Sequence, residues 1–177
     1  ELGFESINVD LIYGLPFQTP NSFKETVSGV LELSPDRVAC FSFAYVHWLK
    51  AAQRKIDVKT LPNAATKMQI WCETLQSFSE AGYDLIGFDH FAKKDDEMSK
   101  ALRNGTLWRN FQGYTTLAGT DMIATGITGI SDIQDAYVQN IKKIPTSRSA
   151  VADNQLPLEL ACFLTPDEKL SRAVFRE

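Results

Sequence analysis

The alternation of apolar segments near the start of the chain constrains its fold more than any other feature. Residues 7–13, INVDLIY, and residues 38–46, VACFSFAYV, have the length and composition of buried strands. Between them, residues 20–31 carry apolar side chains at helical spacing, and Thr19 precedes them as a candidate N-cap. A strand, a helix and a strand in this order predict parallel strands that are buried on both faces.

The same alternation continues through the middle of the chain. Residues 64–81 predict a second helix, Gly82 is a natural end for it, and residues 83–88 predict a third strand. This order is typical of a parallel α/β sheet or barrel. The apolar side of the second helix is predicted from four residues: Met68, Trp71, Leu75 and Phe78.

The second half of the chain is less regular. Residues 89–105 begin as a polar segment and become a short helix, residues 107–120 predict a loop rich in aromatic and polar groups, and residues 122–130 form an apolar run with glycines. Residues 144–157 show no clear pattern. A last helix begins with the capping-box pattern of Thr165, Pro166 and Glu168.

Both ends of the sequence lie inside predicted elements. The first residues, ELGF, are typical of the last turn of a helix closed by Gly3, and the last helix is still running at Glu177. We therefore expect the chain to be a piece of a longer protein.

Asp10 is the one carboxylate in the first apolar strand, three residues before its end. A buried carboxylate must be paired or hydrogen-bonded, because burial without a partner costs several kcal/mol. Asp10 either accepts hydrogen bonds from nearby backbone amides or a core arginine, or it binds a ligand at the carboxyl end of the strand, where barrel sites gather. Strand composition leaves both roles open.

Composition excludes several classes of protein. The 177 residues fit one ordinary domain, and a net charge of −4 argues against a nucleic-acid partner. No apolar run approaches the roughly 20 residues of a membrane helix, and no signal peptide is visible. The three cysteines are far apart, so we expect no disulfide framework, no metal site built within this chain, and a cytoplasmic protein.

Four segments carry a resemblance to a known family. NVDLIYGLPFQT (8–19), AAQRKI (51–56), GFDHFAKKDDEM (87–98) and RNFQGYTT (109–116) resemble, in order and spacing, the oxygen-independent coproporphyrinogen III oxidases of the radical S-adenosylmethionine superfamily. TGITGIS (125–131) is similar to the strand that follows in that family. The first segment is shared with relatives that include a haem chaperone, whereas the third and fourth are more specific to the oxidases.

The resemblance implies a chemistry for the full-length protein. A 4Fe–4S cluster reduces S-adenosylmethionine to a radical that oxidatively decarboxylates two propionates of coproporphyrinogen III to vinyl groups, giving protoporphyrinogen IX. The family's C-x-x-x-C-x-x-C motif is absent here, so the cluster ligands lie outside this chain. The chain alone is then expected to be inactive, and an unidentified electron donor and acceptor are implied. The full-length protein is expected to be a monomer with no membrane partner.

The resemblance also implies an architecture. The chain corresponds to the C-terminal part of a partial (β/α)6 radical S-adenosylmethionine barrel plus the start of a C-terminal helical domain. Residues 1–47 would be the last strands and helix of the barrel, residues 48–162 elaborations that close the barrel and its active site, and residues 163–177 the start of the helical domain.

Five site residues follow from the resemblance. Asp10 and Ala44 match positions that contact a second S-adenosylmethionine, Ala44 through its backbone, and Ile130 matches a residue near the first. Phe111 and Gln112 match a loop pair at the active centre. One segment departs from the family: residues 42–47 read Ser-Phe-Ala-Tyr-Val-His where the family has Asn-Tyr-Ala-His-Leu-Pro.

Three further candidates rest on side-chain chemistry. His90 follows Asp89 at a strand end, where a proton donor would be placed, although a structural bond to Asp89 explains it equally well. Arg109 and Arg54 are candidates for the substrate's carboxylates, because arginine pairs bidentately with carboxylate. Surface roles remain open for both arginines.

Asp95, Asp96 and Glu97 are interpreted as negative charge at the N-terminus of a helix, where the helix dipole favours it, rather than as metal ligands.

Two other functions stay open from the sequence. One is a haem-binding relative of the same barrel without oxidase activity, and the other is an unrelated α/β binding domain complete at 177 residues.

Overall fold

The computed structural model describes residues 3–110 and 112–176 and divides into two compact units. The first unit ends at Asn104 and the second begins at Gly105. In the described part of the chain, no helix is long and apolar enough to cross a membrane. Glu1, Leu2 and Glu177, on which the predicted terminal elements partly rest, lie outside the described residues.

The first unit is a four-stranded sheet with three α-helices. The sheet order is β1-β2-β4-β3, with β1 and β2 parallel and β4 antiparallel to both of its neighbours. In chain order the elements are β1 (Asn8–Tyr13), α1 (Pro20–Leu33), β2 (Arg37–Ser42), two 3-10 helices (Ala51–Lys55 and Val58–Thr60), α2 (Ala64–Glu80), β3 (Tyr83–Gly87), β4 (His90–Lys93) and α3 (Glu97–Arg103).

The βαβ unit is confirmed, but the third strand does not neighbour the second. Residues 90–93, predicted as part of a polar segment, form β4 and enter the sheet between β2 and β3. The prediction was wrong because a strand of four residues is too short to show a period. The sheet is therefore mixed rather than wholly parallel.

One face of the sheet is sealed by α1 and α2. Val38, Cys40 and Phe91 are fully buried on this face, and the rings of Phe78 and Phe91 stack with centroids 4.7 Å apart. Burial of this face contributes most of the unit's hydrophobic stabilisation. The helices contribute five of its buried side chains: Phe23, Val27, Val30, Ile70 and Phe78.

The predicted start of α1 is confirmed, whereas the predicted buried face of α2 needs correction. Thr19 caps α1, since its hydroxyl accepts from the Ser22 amide at 3.2 Å. In α2, Met68 is 62% exposed, and the buried stripe runs through Ile70, Thr74 and Phe78. The polar Thr74 hides this stripe from an apolar pattern, yet it can be buried because its hydroxyl donates to the Ile70 carbonyl at 2.7 Å.

The second unit contains a hairpin, a three-stranded sheet and two helices. Its elements are β5 (Trp108–Asn110), β6 (Gly113–Thr115), β7 (Ile130–Ile133), β8 (Ala136–Asn140), α4 (Ile144–Ala152), β9 (Leu158–Phe163) and α5 (Pro166–Arg176). β5 and β6 pair antiparallel, and so do β7 with β8 and β8 with β9. The capping box of α5 is confirmed: the Thr165 amide donates to Glu168 at 2.8 Å and the Glu168 amide donates to Thr165 Oγ1 at 3.3 Å.

Two predictions for the second unit were wrong. The predicted loop at 107–120 contains the β5–β6 hairpin, and of residues 125–131, which resemble a strand of the family, only Ile130 and Ser131 lie in β7. The irregular run before β7 is organised by the buried Asn140, whose amide donates to the carbonyls of Ala124 and Gly126 at 3.2 and 2.8 Å. A side chain 14 to 16 residues downstream cannot be inferred from a local pattern.

The open edge of β1 generates a prediction about the isolated chain. Among the described residues β1 pairs only with β2, and Ile12 at its carboxyl end is 46% exposed. An unprotected, largely apolar edge strand is a template for further strand pairing. We expect the isolated 177 residues to self-associate, which light scattering coupled to gel filtration would detect. A monodisperse monomer that melts cooperatively would contradict this.

Candidate functional site

A row of paired residues crosses the sheet of the first unit near its carboxyl edge. Asp10 pairs with Ala39, Ala39 with His90, and His90 with Gly87. Paired residues on neighbouring strands point to the same face, and strand residues alternate between faces. Since Val38 and Phe91 face the helices, Asp10 and His90 lie together on the opposite face.

Asp10 is exposed, which corrects the expectation that its carboxylate is buried in the strand. Its Oδ1 accepts from the Asn8 side-chain amide at 2.7 Å, in place of the expected bond from a backbone amide or a core arginine. The reason is that α1 and α2 cover only the other face of β1. The carboxylate therefore stands on the surface that a parallel barrel would turn inward.

His90 is fixed by its neighbour in sequence. Its Nδ1 lies 2.7 Å from Asp89 Oδ1, an arrangement in which Nδ1–H donates to the carboxylate. The Phe41 ring meets the imidazole edge-on, with centroids 5.8 Å apart. The bond to Asp89 orients the ring, which is one of the two roles that the sequence left open for His90. It is also compatible with a role in proton transfer.

The segment after β2, residues 43–47, carries Ala44 and has neither strand nor helix structure. The predicted strand at 38–46 therefore ends four residues early, at Ser42. Beyond Ser42 only one bond continues the pairing with β1, in which the Phe43 amide donates to the Tyr13 carbonyl at 2.7 Å. Apolar composition alone could not reveal this end, since the segment is as apolar as the strand itself.

Side chains from other elements bind the backbone of this segment. Lys67 of α2 donates to the Phe43 carbonyl at 3.0 Å. Gln53 accepts from the Val46 amide at 2.6 Å and donates to the Ala44 carbonyl at 3.1 Å. Arg54, predicted to bind substrate, donates through Nε to the His47 carbonyl at 3.1 Å.

Two titratable groups at the carboxyl end of the sheet have raised pKa values. Burial, together with the nearby Asp89 carboxylate, raises the pKa of the Cys40 thiol to about 12. Burial is also the main cause that raises the pKa of Tyr13, against a hydrogen bond to Ser42 that lowers it. Cys40 is thus a small buried hydrophobe rather than a thiolate ligand.

The β5–β6 hairpin of the second unit brings Arg109 and Gln112 together. The Arg109 guanidinium lies over the Tyr114 ring, 5.4 Å from its centroid, and Arg109 and Tyr114 are paired across the hairpin. The turn is closed by Asn110, whose Oδ1 accepts from the Gln112 and Gly113 amides at 2.9 and 3.2 Å. Gln112 is exposed on this turn, and Phe111 lies outside the described residues.

Ile130 is the first residue of β7 and pairs with Gln139, in a different sheet from the hairpin. The neighbouring glycines have separate structural reasons. Gly126 has a φ of +84°, and a Cβ on Gly129 would lie 3.0 Å from the Ala124 Cβ. The left-handed backbone therefore accounts for Gly126, and tight packing of the loop accounts for Gly129.

The acidic run at 95–97 serves helix α3. Asp96 is the N-cap, accepting from the Met98 amide at 2.7 Å, and both Asp96 and Glu97 pair with Arg37 at 3.0 and 2.8 Å. The interpretation as helix N-terminal charge is confirmed. In the described ranges, no group of three or more His, Cys, Asp or Glu side chains is arranged to hold a metal ion.

Comparison with known proteins finds close relatives along the whole chain. The chain is 46% identical over 177 residues to the oxygen-independent coproporphyrinogen III oxidase of Synechocystis sp., and 48% identical over 175 residues to that of Thermostichus vulcanus. A solved structure of coproporphyrinogen III oxidase from Escherichia coli, described as a radical SAM enzyme, matches 99% of the chain with a TM-score of 0.91 and 44% identity. No protein-family model matches the chain.

The chain is homologous to part of oxygen-independent coproporphyrinogen III oxidase. It spans 38% and 54% of the two bacterial relatives and 40% of the Escherichia coli chain. The predicted family resemblance and the α/β fold class are confirmed by these matches.

Gln53 and Lys67 were missed as candidate residues of the site. Gln53 lies inside the AAQRKI stretch that carried the resemblance, so its position signalled importance without indicating a role. Lys67 lies on α2, where a lone lysine reads as solvated charge. Its contact with Phe43 could be found only once β2 and α2 had been placed in the fold.

The buried thiol of Cys40 leads to a labelling prediction. In the full-length protein at pH 8, Cys40 should resist iodoacetamide while Cys72, which is exposed on α2, reacts. With its pKa raised to about 12, Cys40 has almost no thiolate at that pH, and burial also denies access to the reagent. Peptide mass spectrometry over time would measure both rates, and equal labelling of the two cysteines in folded protein would refute the assignment.

Proposed function

We propose that this chain is part of an oxygen-independent coproporphyrinogen III oxidase, a radical S-adenosylmethionine enzyme. The full-length protein would convert two propionates of coproporphyrinogen III to vinyl groups by oxidative decarboxylation, giving protoporphyrinogen IX. Identity of 44–48% over essentially the whole chain carries this proposal. The exposed Asp10, set among well-packed strands at the carboxyl edge of the sheet, agrees with it.

Asp10 and Ala44 are proposed to contact a second S-adenosylmethionine. Asp10 is suited to this, because an exposed carboxylate can accept hydrogen bonds from an ammonium group or from ribose hydroxyls. Ala44 lies on a segment held in one conformation by other side chains and would present backbone atoms. S-adenosylmethionine, when bound with the cluster, would supply the radical chemistry, and Asp10 and Ala44 would bind and orient the second molecule of it. Ile130 is proposed to pack near the first S-adenosylmethionine.

The chain's own cysteines do not fit a role as ligands of a 4Fe–4S cluster. Cys40 is buried with a raised pKa, and the three cysteines form no metal-binding group in the described residues. We therefore assign the cluster ligands to a part of the full-length protein outside this chain.

Arg109 and Arg54 are proposed to bind the substrate's carboxylates. Arg109 is exposed on the hairpin with its guanidinium over Tyr114, which restricts the side chain without neutralising its charge. Arg54 uses one N–H on the His47 carbonyl and keeps further donors in its fork. Phe111 and Gln112 are proposed to line the active centre, and His90 to act as a proton donor oriented by Asp89.

The remaining organisation is also proposed from the homology. Residues 1–47 would complete the barrel, residues 48–162 would close it and the active site, and residues 163–177 would begin a C-terminal helical domain. We infer a cytoplasmic, monomeric protein that exchanges electrons with a separate donor and acceptor.

Substitution of Asp10 by Asn tests the cofactor assignment. Asn keeps the shape, and its oxygen can still accept from Asn8, so the stability of the full-length protein should change by no more than about 0.5 kcal/mol. Loss of the charge should lower occupancy of the second S-adenosylmethionine and reduce porphyrinogen conversion, while cleavage at the first site persists. Melting temperature, cofactor stoichiometry and product formation measured on one preparation would separate these effects.

Asp153→Asn is the matched control, since Asp153 is exposed after α4 and the change in charge is the same. Wild-type stoichiometry in Asp10→Asn would remove Asp10 from the site. Haem binding by the wild-type protein with no conversion of porphyrinogen would replace the oxidase by the haem-binding alternative.

Substitution of Arg109 by Ala tests the substrate assignment. Loss of a charge-assisted pair costs roughly 1.5–3 kcal/mol, so substrate should bind about 10 to 100 times more weakly to the full-length variant. Arg148→Ala, which removes an exposed arginine of α4, should behave like the wild type. The Michaelis constant measured for coproporphyrinogen III decides the matter, and an unchanged value in Arg109→Ala would exclude Arg109 from substrate binding.

A further inference from the structure

The segment of residues 43–47 depends on a side-chain amide in place of regular secondary structure. Gln53 accepts from the Val46 amide at 2.6 Å and donates to the Ala44 carbonyl at 3.1 Å. It thereby ties together two backbone groups of the segment that flank Tyr45. A peptide group of a neighbouring strand would make the same pair of bonds, one accepted and one donated.

Gln53 is itself held in place by its own backbone. Its amide donates to the Lys50 carbonyl at 2.9 Å and its carbonyl accepts from the Ile56 amide at 3.1 Å. These bonds set the ends of the first 3-10 helix, so the side chain projects from a fixed point. The Gln53 side chain is only partly exposed and is already ordered by its bonds. Ligand binding would therefore cost little further conformational entropy.

The side chain must combine one acceptor with one donor at a fixed reach. Glutamate offers acceptors only when ionised, and it would place a carboxylate against the Ala44 carbonyl. Methionine has similar length and no hydrogen-bonding group of comparable strength. The two bonds therefore single out glutamine chemically.

We propose that Gln53 is a positioning residue that fixes the backbone at Ala44 in the conformation that receives S-adenosylmethionine. This inference rests on the proposed function, because Ala44 is assigned to that cofactor there. Gln53 acts through Ala44 and Val46 and does not touch the reacting atoms. Arg54, one residue along, supports the same segment at His47.

The experiment compares Gln53→Met and Gln53→Glu with the wild type in the full-length, cluster-loaded protein. The probe is S-adenosylmethionine itself, with stoichiometry and affinity measured by equilibrium dialysis without substrate. Met removes both bonds, whereas Glu can still accept from the Val46 amide but loses the donor and sets a carboxylate against the Ala44 carbonyl. Either change should weaken the second binding event about 5- to 30-fold. Cleavage at the first site should stay at the wild-type rate, and the melting temperature should fall by no more than a few degrees.

The control is Gln76→Met. It removes an exposed glutamine of α2 whose side-chain amide donates to Glu80 in the same helix. Its second-site affinity should equal that of the wild type. The split between cofactor affinity and melting temperature identifies positioning, because a purely structural residue would lower stability and leave the affinity of the folded fraction unchanged.

The outcomes distinguish this inference from the proposed function. Wild-type affinity in both Gln53 variants, together with reduced stoichiometry in Asp10→Asn, would overturn the role of Gln53 and leave the oxidase assignment standing. A lowered melting temperature with unchanged affinity in the folded fraction would also overturn it. Wild-type protein that binds no S-adenosylmethionine would overturn the proposed function itself.

Discussion

Burial of one face of the four-stranded sheet is the constraint on which the rest of the first unit depends. Val38 and Phe91 must face α1 and α2, because exposing either would forfeit a large part of the hydrophobic stabilisation. A strand alternates its side chains, so this requirement also fixes which residues face away. Asp10 and His90 share the opposite face for that reason. A slip of one residue in the register of β1 would turn Asp10 into the core and a core residue out to the opposite face. Apolar packing therefore fixes the face on which Asp10 lies.

The backbone at the carboxyl end of β2 is held by different means. Strand pairing stops at Ser42, and Lys67, Gln53 and Arg54 then supply hydrogen bonds that a neighbouring strand would otherwise make. This arrangement gives residues 43–47 a defined conformation that need not follow the pleat of a sheet. Loops placed on a rigid scaffold in this way are the usual carriers of binding residues. It also explains how the segment can differ from the family pattern in side chains and still present its backbone at Ala44.

The predictable part of the fold is local in its physics. The βαβ unit, the caps of α1 and α5 and the core face of α1 follow from spacing and capping within a few residues. β4 was not predicted because its four residues are placed by pairing with other strands, such as that of His90 with Ala39 and Gly87, and not by a local pattern. The irregular run before β7 escaped because Asn140 organises it from another strand. For the candidate site, family motifs indicated Asp10 and Ala44, but the exposure of Asp10 and the support of Ala44 by Gln53 depend on tertiary contacts.

The exposure of Asp10 bears directly on why an apolar strand contains a carboxylate. In the first unit the Asp10 carboxylate is exposed to water, so its charge costs little free energy, and it accepts a hydrogen bond from the Asn8 side-chain amide. Enclosure of the same face inside a barrel would remove that water, and a single neutral amide is a weak substitute for it. A ligand with a cationic group and hydroxyl donors would restore the lost hydrogen bonds and oppose the charge. Under the proposed function, the carboxylate would therefore favour the ligand-bound state over the empty one, which would be an energetic reason to place it on this face.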